Sequence, residues 1–238
     1  MKKIFLLITV LIGLGATAQT TDTKKIVVPN RTKDHFMIQY GADVWTGRPD
    51  SVRTGGLSRH FNFYFMFDKP FKTNPKMSLG LGFGLGSSNM FFNSTNVNVR
   101  SNTTMLPFII ADSLDHFSKF KVTNIYLEIP VEIRYFSNPN NMNKSWKFAI
   151  GAKVGTLLKS YSKGKNYVNR FGQSLYGTSY IEKEQSKKFF NGTSLALTGR
   201  IGYGIIGLQG SYNVLGVLKD GAGPTMNRWS LGISISGL

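Results

Sequence analysis

The side chains that could do chemistry in this sequence are few and scattered. Of the three histidines, His60 and His116 are predicted to lie at the same end of the molecule as Asp112, Ser113 and Asp115. A serine, a histidine and an aspartate within hydrogen-bond reach can form a hydrolase triad, in which the histidine takes the proton of the serine. No nucleophile-elbow motif surrounds Ser113, and polar loops bring such residues together by chance. We therefore predict that the protein is not an enzyme.

The sequence also lacks the patterns that bind metals, cofactors or nucleotides. It contains no cysteine, and its His, Asp and Glu residues do not follow the spacing of a metal-ligand set. Gly80, Gly82, Gly84 and Gly86 resemble a phosphate-binding loop in composition. They alternate strictly, however, and no strand-to-helix turn surrounds them. We expect no metal and no cofactor.

The first residues have the organisation of an export signal. Lys2 and Lys3 precede the apolar run 4–15, which is too short to span a bilayer comfortably, and the run is followed by the A-x-A cleavage pattern of 16–18. A retained N-terminal anchor is the alternative. The predicted organisation is a cleaved signal peptide over 1–18, a flexible lead-in over 19–34 and one domain over 35–238, whose class follows from the patterns below.

Apolar and polar side chains alternate along most of the remaining chain, and no apolar run is long enough for a transmembrane helix. In IYLEIPVEIRYF (125–136), Ile, Leu and Val alternate with Glu and Arg, which places them on opposite faces of a strand. Seven further segments follow the same period, most of them near the roughly 9–11 residues that a tilted membrane strand needs. The eight predicted strands begin near Phe36, Phe61, Met77, Ile125, Trp146, Leu195, Ile206 and Arg228.

The predicted connections between these strands alternate in length. At the tight turn Gly204–Ile205, a type II′ geometry would pair Tyr203 directly with Ile206. Short turns at one end and long loops at the other are typical of an up-and-down barrel in an outer membrane. We predict an all-β fold, an eight-stranded antiparallel up-and-down transmembrane β-barrel. The long connections are 46–56, 87–120, 158–190 and 214–227, and the short ones are 68–76, 137–145 and 204–205.

Such a barrel would turn its apolar face to lipid, whereas a soluble sandwich would bury the same face in a core. Four aromatic residues on the apolar face fall near strand ends, where membrane barrels carry aromatic girdles. They are Tyr135, Trp146, Tyr203 and Trp229. Trp45 departs from this pattern, because strict alternation points it inward.

The opposite face carries charges of both signs among many Gly and Ser residues. Eight strands enclose an interior that side chains fill, so these charges must pair with one another, and the glycines leave space for them. The predicted lumen ion network consists of Asp43, Glu128, Glu132, Arg134, Lys153, Arg200 and Arg228.

The net charge of +17 raises the question of an anionic partner. Nucleic acid is not expected, because the chain is exported and its Lys and Arg residues are dispersed. Outer-membrane lipid and lipopolysaccharide present anionic headgroups and are the predicted partners.

Pro130 is unusual in the middle of a strand, since it donates no ladder hydrogen bond and a closed barrel has no free edge. We expect a local bulge or a water-reachable interior side there. The segment YLEIPVEIRYF, with Leu127–Pro130 and then Arg134 and Tyr135, followed by WKFAIGAKVGTLL, resembles the PorT-like outer-membrane β-barrel family of Bacteroidetes. This resemblance implies an eight-stranded barrel in the outer membrane of a Gram-negative bacterium. The family's namesake belongs to type IX secretion.

These observations favour a non-enzymatic outer-membrane barrel with a side-chain-filled lumen and recognition in its long extracellular loops. An envelope-structural or secretion-associated role, with other envelope or secretion proteins as partners, would use those loops. A narrow channel or small-solute transporter is the alternative, and a lipid-modifying hydrolase is the third. The predicted loop recognition residues are Phe91, Phe92, Arg100, Lys163, Lys165 and Arg170.

Overall fold

A computed structural model describes residues 36–110 and 115–237. The predicted signal peptide and lead-in lie outside these residues, as do Asp112 and Ser113. The described part of the chain contains no helix long and apolar enough to cross a bilayer. Its strands are β1 (Phe36–Thr46), β2 (Arg59–Pro70), β3 (Met77–Phe92), β4 (Thr95–Val97), β5 (Phe108–Ile110), β6 (His116–Phe136), β7 (Trp146–Val168), β8 (Ile181–Gln185), β9 (Thr193–Tyr203), β10 (Ile206–Asn213) and β11 (Asn227–Ser236), with a short 3₁₀ helix at Met142–Lys144.

Eight of these strands form a closed antiparallel ring. The order is β1, β2, β3, β6, β7, β9, β10 and β11, and β11 pairs with β1 again. Met37 of β1 accordingly lies opposite Tyr64 on one side and Ser236 on the other. Since each ring strand has two neighbours, backbone groups at membrane depth can pair within the sheet, and one short gap in this pairing occurs beside Pro130. The predicted eight-stranded antiparallel barrel is confirmed.

The connections are sorted by end as predicted. The three short ones span 71–76, 137–145 and 204–205, and the long ones lie at the opposite end of the ring. At the tightest turn Tyr203 pairs with Ile206. Gly204 has φ +61°, whereas Ile205 is not among the residues with positive φ, which fits the predicted type II′ turn.

Two predicted loops are partly strands. β3 continues to Phe92, β6 begins at His116 and β7 continues to Val168, where β8 pairs with it through Lys163 and Lys183. The three extended strands and β8 form a sheet that rises beyond the long-loop end of the ring. Periodicity missed this sheet because both of its faces are rich in polar side chains, so apolar residues do not alternate there.

Pro130 interrupts one ladder and leaves the other intact. It pairs with Lys153 of β7. On the β3 side, the pairing stops after Leu81–Val131 and resumes at Gly84–Glu128 in the same register. The expected bulge at Pro130 was therefore wrong, and a two-residue gap in pairing accommodates the missing N–H. The pairing of β6 with β7 shifts register instead between Ile125 and Tyr126, where β7 contains one extra residue, Leu158.

Candidate functional site

The outer surface of the ring is a continuous apolar band. Outward side chains are large and exposed on every ring strand, including Ile150 and Leu231, which are 72% and 68% exposed. Soluble monomers rarely expose an apolar surface of this extent, and such a surface is suited to contact with hydrocarbon. Representative members are Phe61, Phe63, Leu81, Leu85, Leu127, Ile129, Ile133, Leu197, Leu208 and Ile233.

The four predicted girdle aromatics all face outward. Tyr135, Trp146 and Tyr203 lie at the short-turn end, where Trp146 and Tyr203 pair directly with rings 5.5 Å apart. Trp229 lies at the long-loop end, and its ring is 4.5 Å from that of Tyr212. Aromatic side chains therefore border the apolar band at both ends.

At the centre of the lumen Glu128 makes the main contacts. Its carboxylate accepts a hydrogen bond from Lys153 at 3.0 Å and another from the hydroxyl of Tyr64. Lys153 Nζ is also 3.2 Å from that hydroxyl. Arg228 interacts electrostatically with both Glu128 and Asp43 and donates to Asn213 at 3.1 Å. The carboxylate thus accepts hydrogen bonds from two other strands, β2 and β7, and the charge of Arg228 on a third strand, β11, stabilises it further.

A second cluster lies towards the short-turn end. Glu132 accepts hydrogen bonds from Arg134 at 2.9 Å and from Arg200 at 2.8 Å. Arg134 is also 3.6 Å from Asp68, whose carboxylate accepts a 2.5 Å hydrogen bond from Ser78. These groups are almost fully buried and water does not solvate their charges, so the opposite charges of the cluster must compensate each other.

A third cluster surrounds Asp43 nearer the long loops. Its carboxylate accepts hydrogen bonds from Ser230 and Ser88 and pairs with His60 Nδ1 at 2.9 Å. The other ring nitrogen of His60 meets Gln209 at 2.6 Å rather than a serine. His60 lies at the long-loop end of β2, as predicted, and its side chain points into the lumen with the same parity as Asn62 and Tyr64. Ser113 lies outside the described residues, so its distance from His60 stays untested. The geometry is that of a buried structural cluster and does not form a triad.

Glycines on β3 make room for these long side chains. A Cβ at Gly86 would lie 2.5 Å from the Glu128 carboxylate, and one at Gly80 would lie 2.6 Å from Arg134 Nε. Both charged groups are held by buried partners and cannot move aside easily. The alternating glycines therefore have a packing role in the lumen.

Gly86→Ala should lower the free energy of unfolding by about 1–3 kcal/mol, because the new methyl group overpacks the site of Glu128. Gly199→Ala is the matched control, since a Cβ on this ring-strand glycine meets nothing within 4 Å. Urea unfolding of both variants in lipid vesicles measures the difference. Equal stability of the two variants would contradict the tight fit around Glu128.

Above the lumen, the long-loop end is closed by a hydrophobic plug. Each of the four long connections contributes buried side chains, which pack on inward residues of β1, β3, β6 and β7. The rings of Trp45 and Phe92 are 5.8 Å apart, and that of Phe120 lies 6.3 Å from Phe92. The plug includes Val52, Val99, Leu106, Phe189, Phe190, Val217 and Met226 from the connections.

The predicted loop recognition residues separate into three groups. Phe92 is buried in the plug, so its assignment to an exposed loop was wrong; it follows the inward parity of Met90. Phe91, Lys163 and Lys165 lie on the outward face of the strand extensions rather than on loops. Arg100 and Arg170 are exposed on loops, with Arg170 4.6 Å above the ring of Phe171.

A closed ring with an apolar exterior, aromatic borders and a charged interior defines a transmembrane β-barrel. The model of the outer membrane protein beta-barrel domain family matches residues 16–235, and the chain belongs to this family. The protein is thus an outer-membrane β-barrel.

Comparison with known proteins adds two solved structures. Both are of Ail, the attachment invasion locus protein of Yersinia pestis, and one is a complex with the heparin analogue sucrose octasulfate. The complex is 16% identical with a TM-score of 0.34, and the other structure is 15% identical with a TM-score of 0.32. Each alignment covers 86% of this chain and 97% of Ail. None of the curated proteins matches this sequence.

Proposed function

We propose that this chain is a non-enzymatic, non-conducting outer-membrane barrel that presents a recognition surface outside the cell. The observation that carries the proposal is the combination of a lumen filled by three ion clusters with a plug built from all four long connections. To pass through the barrel, a solute would have to displace the paired charges of the lumen and also separate the packed side chains of the plug. The rigid barrel is therefore best suited to hold the strand extensions and loops in a fixed arrangement.

Recognition would take place on the sheet formed by the extensions of β6 and β7 with β8. This sheet stands beyond the membrane band and carries Lys163 and Lys165 on its outward face. Outer-membrane lipid and lipopolysaccharide are its proposed partners at the membrane surface. Other envelope or secretion proteins would meet the loop tips around Arg100 and Arg170.

The Leu127–Pro130 motif supports a place among the PorT-like proteins of Bacteroidetes, and with it an envelope-structural or secretion-associated role. The A-x-A pattern at 16–18 supports export through a cleaved signal peptide over 1–18. N-terminal sequencing of the protein from outer-membrane fractions should begin at Gln19. A first residue of Met1 would contradict cleavage.

The channel alternative makes the opposite prediction for electrical measurements. Single-channel recordings of the refolded protein in planar bilayers should show no steady conductance, since the plug and the ion clusters block the path. An open porin recorded in the same bilayers is the positive control. Steady conductance steps from the pure protein would overturn the closed-lumen proposal.

The hydrolase alternative is tested by lipid composition. Cells that express the protein should have lipid A and phospholipid masses unchanged from cells carrying an empty vector. Loss of an acyl chain in mass spectra that depends on His116 would contradict the non-enzymatic proposal.

A further inference from the structure

A ladder of lysines crosses the extracellular sheet on its outward face. Lys121 of β6 lies opposite Lys163 of β7, which lies opposite Lys183 of β8. One step further from the membrane, Lys119 lies opposite Lys165. Directly opposed side chains on one face of a sheet have their Cβ atoms about 4.5–5.5 Å apart. The five ammonium groups are therefore concentrated on one small surface, which we call the lysine ladder.

Opposed like charges destabilise a sheet unless a counter-ion compensates them. In the described part of the chain, no carboxylate forms an ion pair with any member of the lysine ladder. The two acidic residues of β8, Glu182 and Glu184, lie opposite Gly164 and Ser162 and so point to the other face of the sheet. The charges of β8 are thus separated by face, with lysine alone on the outward one.

Aromatic and polar groups complete the surface, and Lys121 Nζ donates a 2.7 Å hydrogen bond to the neutral amide oxygen of Asn89. Phe91 lies opposite Lys121, whose Nζ is 5.7 Å from the centre of the ring, and Lys183 Nζ is 4.3 Å from the ring of Tyr161. A depression of about 110 Å³ is lined by Phe91, Phe120 and the four ladder lysines of β6 and β7, and Lys183 of β8 lies outside it. Partial burial lowers the pKa of Lys121, and the charges of Lys163 and Lys183 lower it further. A bound anion would remove this electrostatic penalty.

The position of the ladder indicates which anion it meets. Lys121 is four residues from Ile125 on β6, about 13 Å along the strand, and both point outward. Ile125 leads directly into the apolar band through Leu127 and Ile129. An amphiphile whose acyl chains lie on the band would place its headgroup against the ladder.

We propose that the lysine ladder is a binding site for the phosphate groups of an outer-leaflet glycolipid of the lipid A type. Lys121, Lys163 and Lys183 contact the phosphate, while Phe91 packs on the sugar or on the first methylene groups of the acyl chains. The site rests on the proposed membrane-surface recognition and gives it a ligand class. Binding at this site would hold the barrel in the outer leaflet through a lipid contact on its side.

The test compares two variants with the same change of charge. The triple variant Lys121→Gln/Lys163→Gln/Lys183→Gln removes the centre of the ladder, and Lys72→Gln/Lys76→Gln/Lys144→Gln removes three exposed lysines of the short turns. Native mass spectrometry in detergent measures the affinity for bisphosphorylated lipid A. Since a lysine at a lipid surface contributes about a factor of five, the ladder variant should bind roughly 100-fold more weakly. The control variant should bind like the wild type.

Lipid A without its phosphates should bind the wild type as weakly as intact lipid A binds the ladder variant. Equal binding of the two lipids, or of the two variants, would overturn the site. Full competition by millimolar inorganic phosphate would assign the ladder to free phosphate and overturn the lipid assignment. The lysines of the ladder repel one another in the wild type, so the ladder variant should unfold in urea at the same or a higher concentration. Unfolding at a lower urea concentration would indicate that the lysines have a structural role. These results are independent of the conductance recordings, so either proposal can fail alone.

Discussion

Glu132→Gln should lower the free energy of unfolding by about 3–5 kcal/mol, because it leaves two buried guanidinium groups beside a neutral amide. Arg134 and Arg200 both donate to this carboxylate at under 3 Å. Urea unfolding of the protein in lipid vesicles gives the value. Glu182→Gln is the control, since Glu182 is exposed on β8, and its effect should stay within about 0.5 kcal/mol.

A second substitution tests whether unpaired charge is the cause. Glu132→Gln/Arg200→Met removes one guanidinium along with the carboxylate and should recover about half of the lost stability, because Arg134 retains Asp68. If Glu132→Gln unfolds like the wild type, the lumen is wet enough to screen these charges. That result would contradict the buried ion clusters.

Phe190→Ala should cost about 3–5 kcal/mol, the range for truncating a fully buried phenylalanine. The side chain of Phe190 is 0% exposed in the plug, and its backbone forms an isolated antiparallel β-bridge with Leu218. Phe171→Ala is the matched control, because Phe171 is 72% exposed and its loss should change stability by about 0.5 kcal/mol or less. Urea unfolding measures both variants, and equal effects would mean that the long connections do not pack into a core.

The ring strands were predictable because the outward face of each strand is apolar along its whole length in the membrane. Ile125–Tyr135 is apolar on every outward position, and this repeated pattern determines strand, face and register together. The extensions were not predictable by the same means. Ser87, Ser88 and Asn89 continue β3 with polar side chains on both faces, so period two is lost where the strand leaves the membrane.

The sequence predicts which charged side chains point into the lumen, but it does not predict which of them contact each other. Alternation alone assigns Glu128 and Lys153 to the interior, whereas their contact depends on how β6 and β7 are aligned. His60 was missed because the predicted strand began near Phe61, two residues after the observed start of β2 at Arg59. The alternation of His60, Asn62 and Tyr64 carried the signal. The plug depends on isolated residues such as Val99 and Phe190 in four separate connections, and no local pattern brings them together.

Spin labels at two equally exposed positions test the orientation of the sheet most directly. Ile150 lies within the apolar band and Phe171 lies on a long connection, and each is 72% exposed. Because the chain contains no cysteine, Ile150→Cys and Phe171→Cys each provide a unique attachment site. In lipid vesicles the label at 150 should collide with oxygen and be shielded from a water-soluble nickel complex, and the label at 171 should behave in the opposite way. Equal access of the nickel complex to both labels would show that the apolar face of the strands does not face the bilayer.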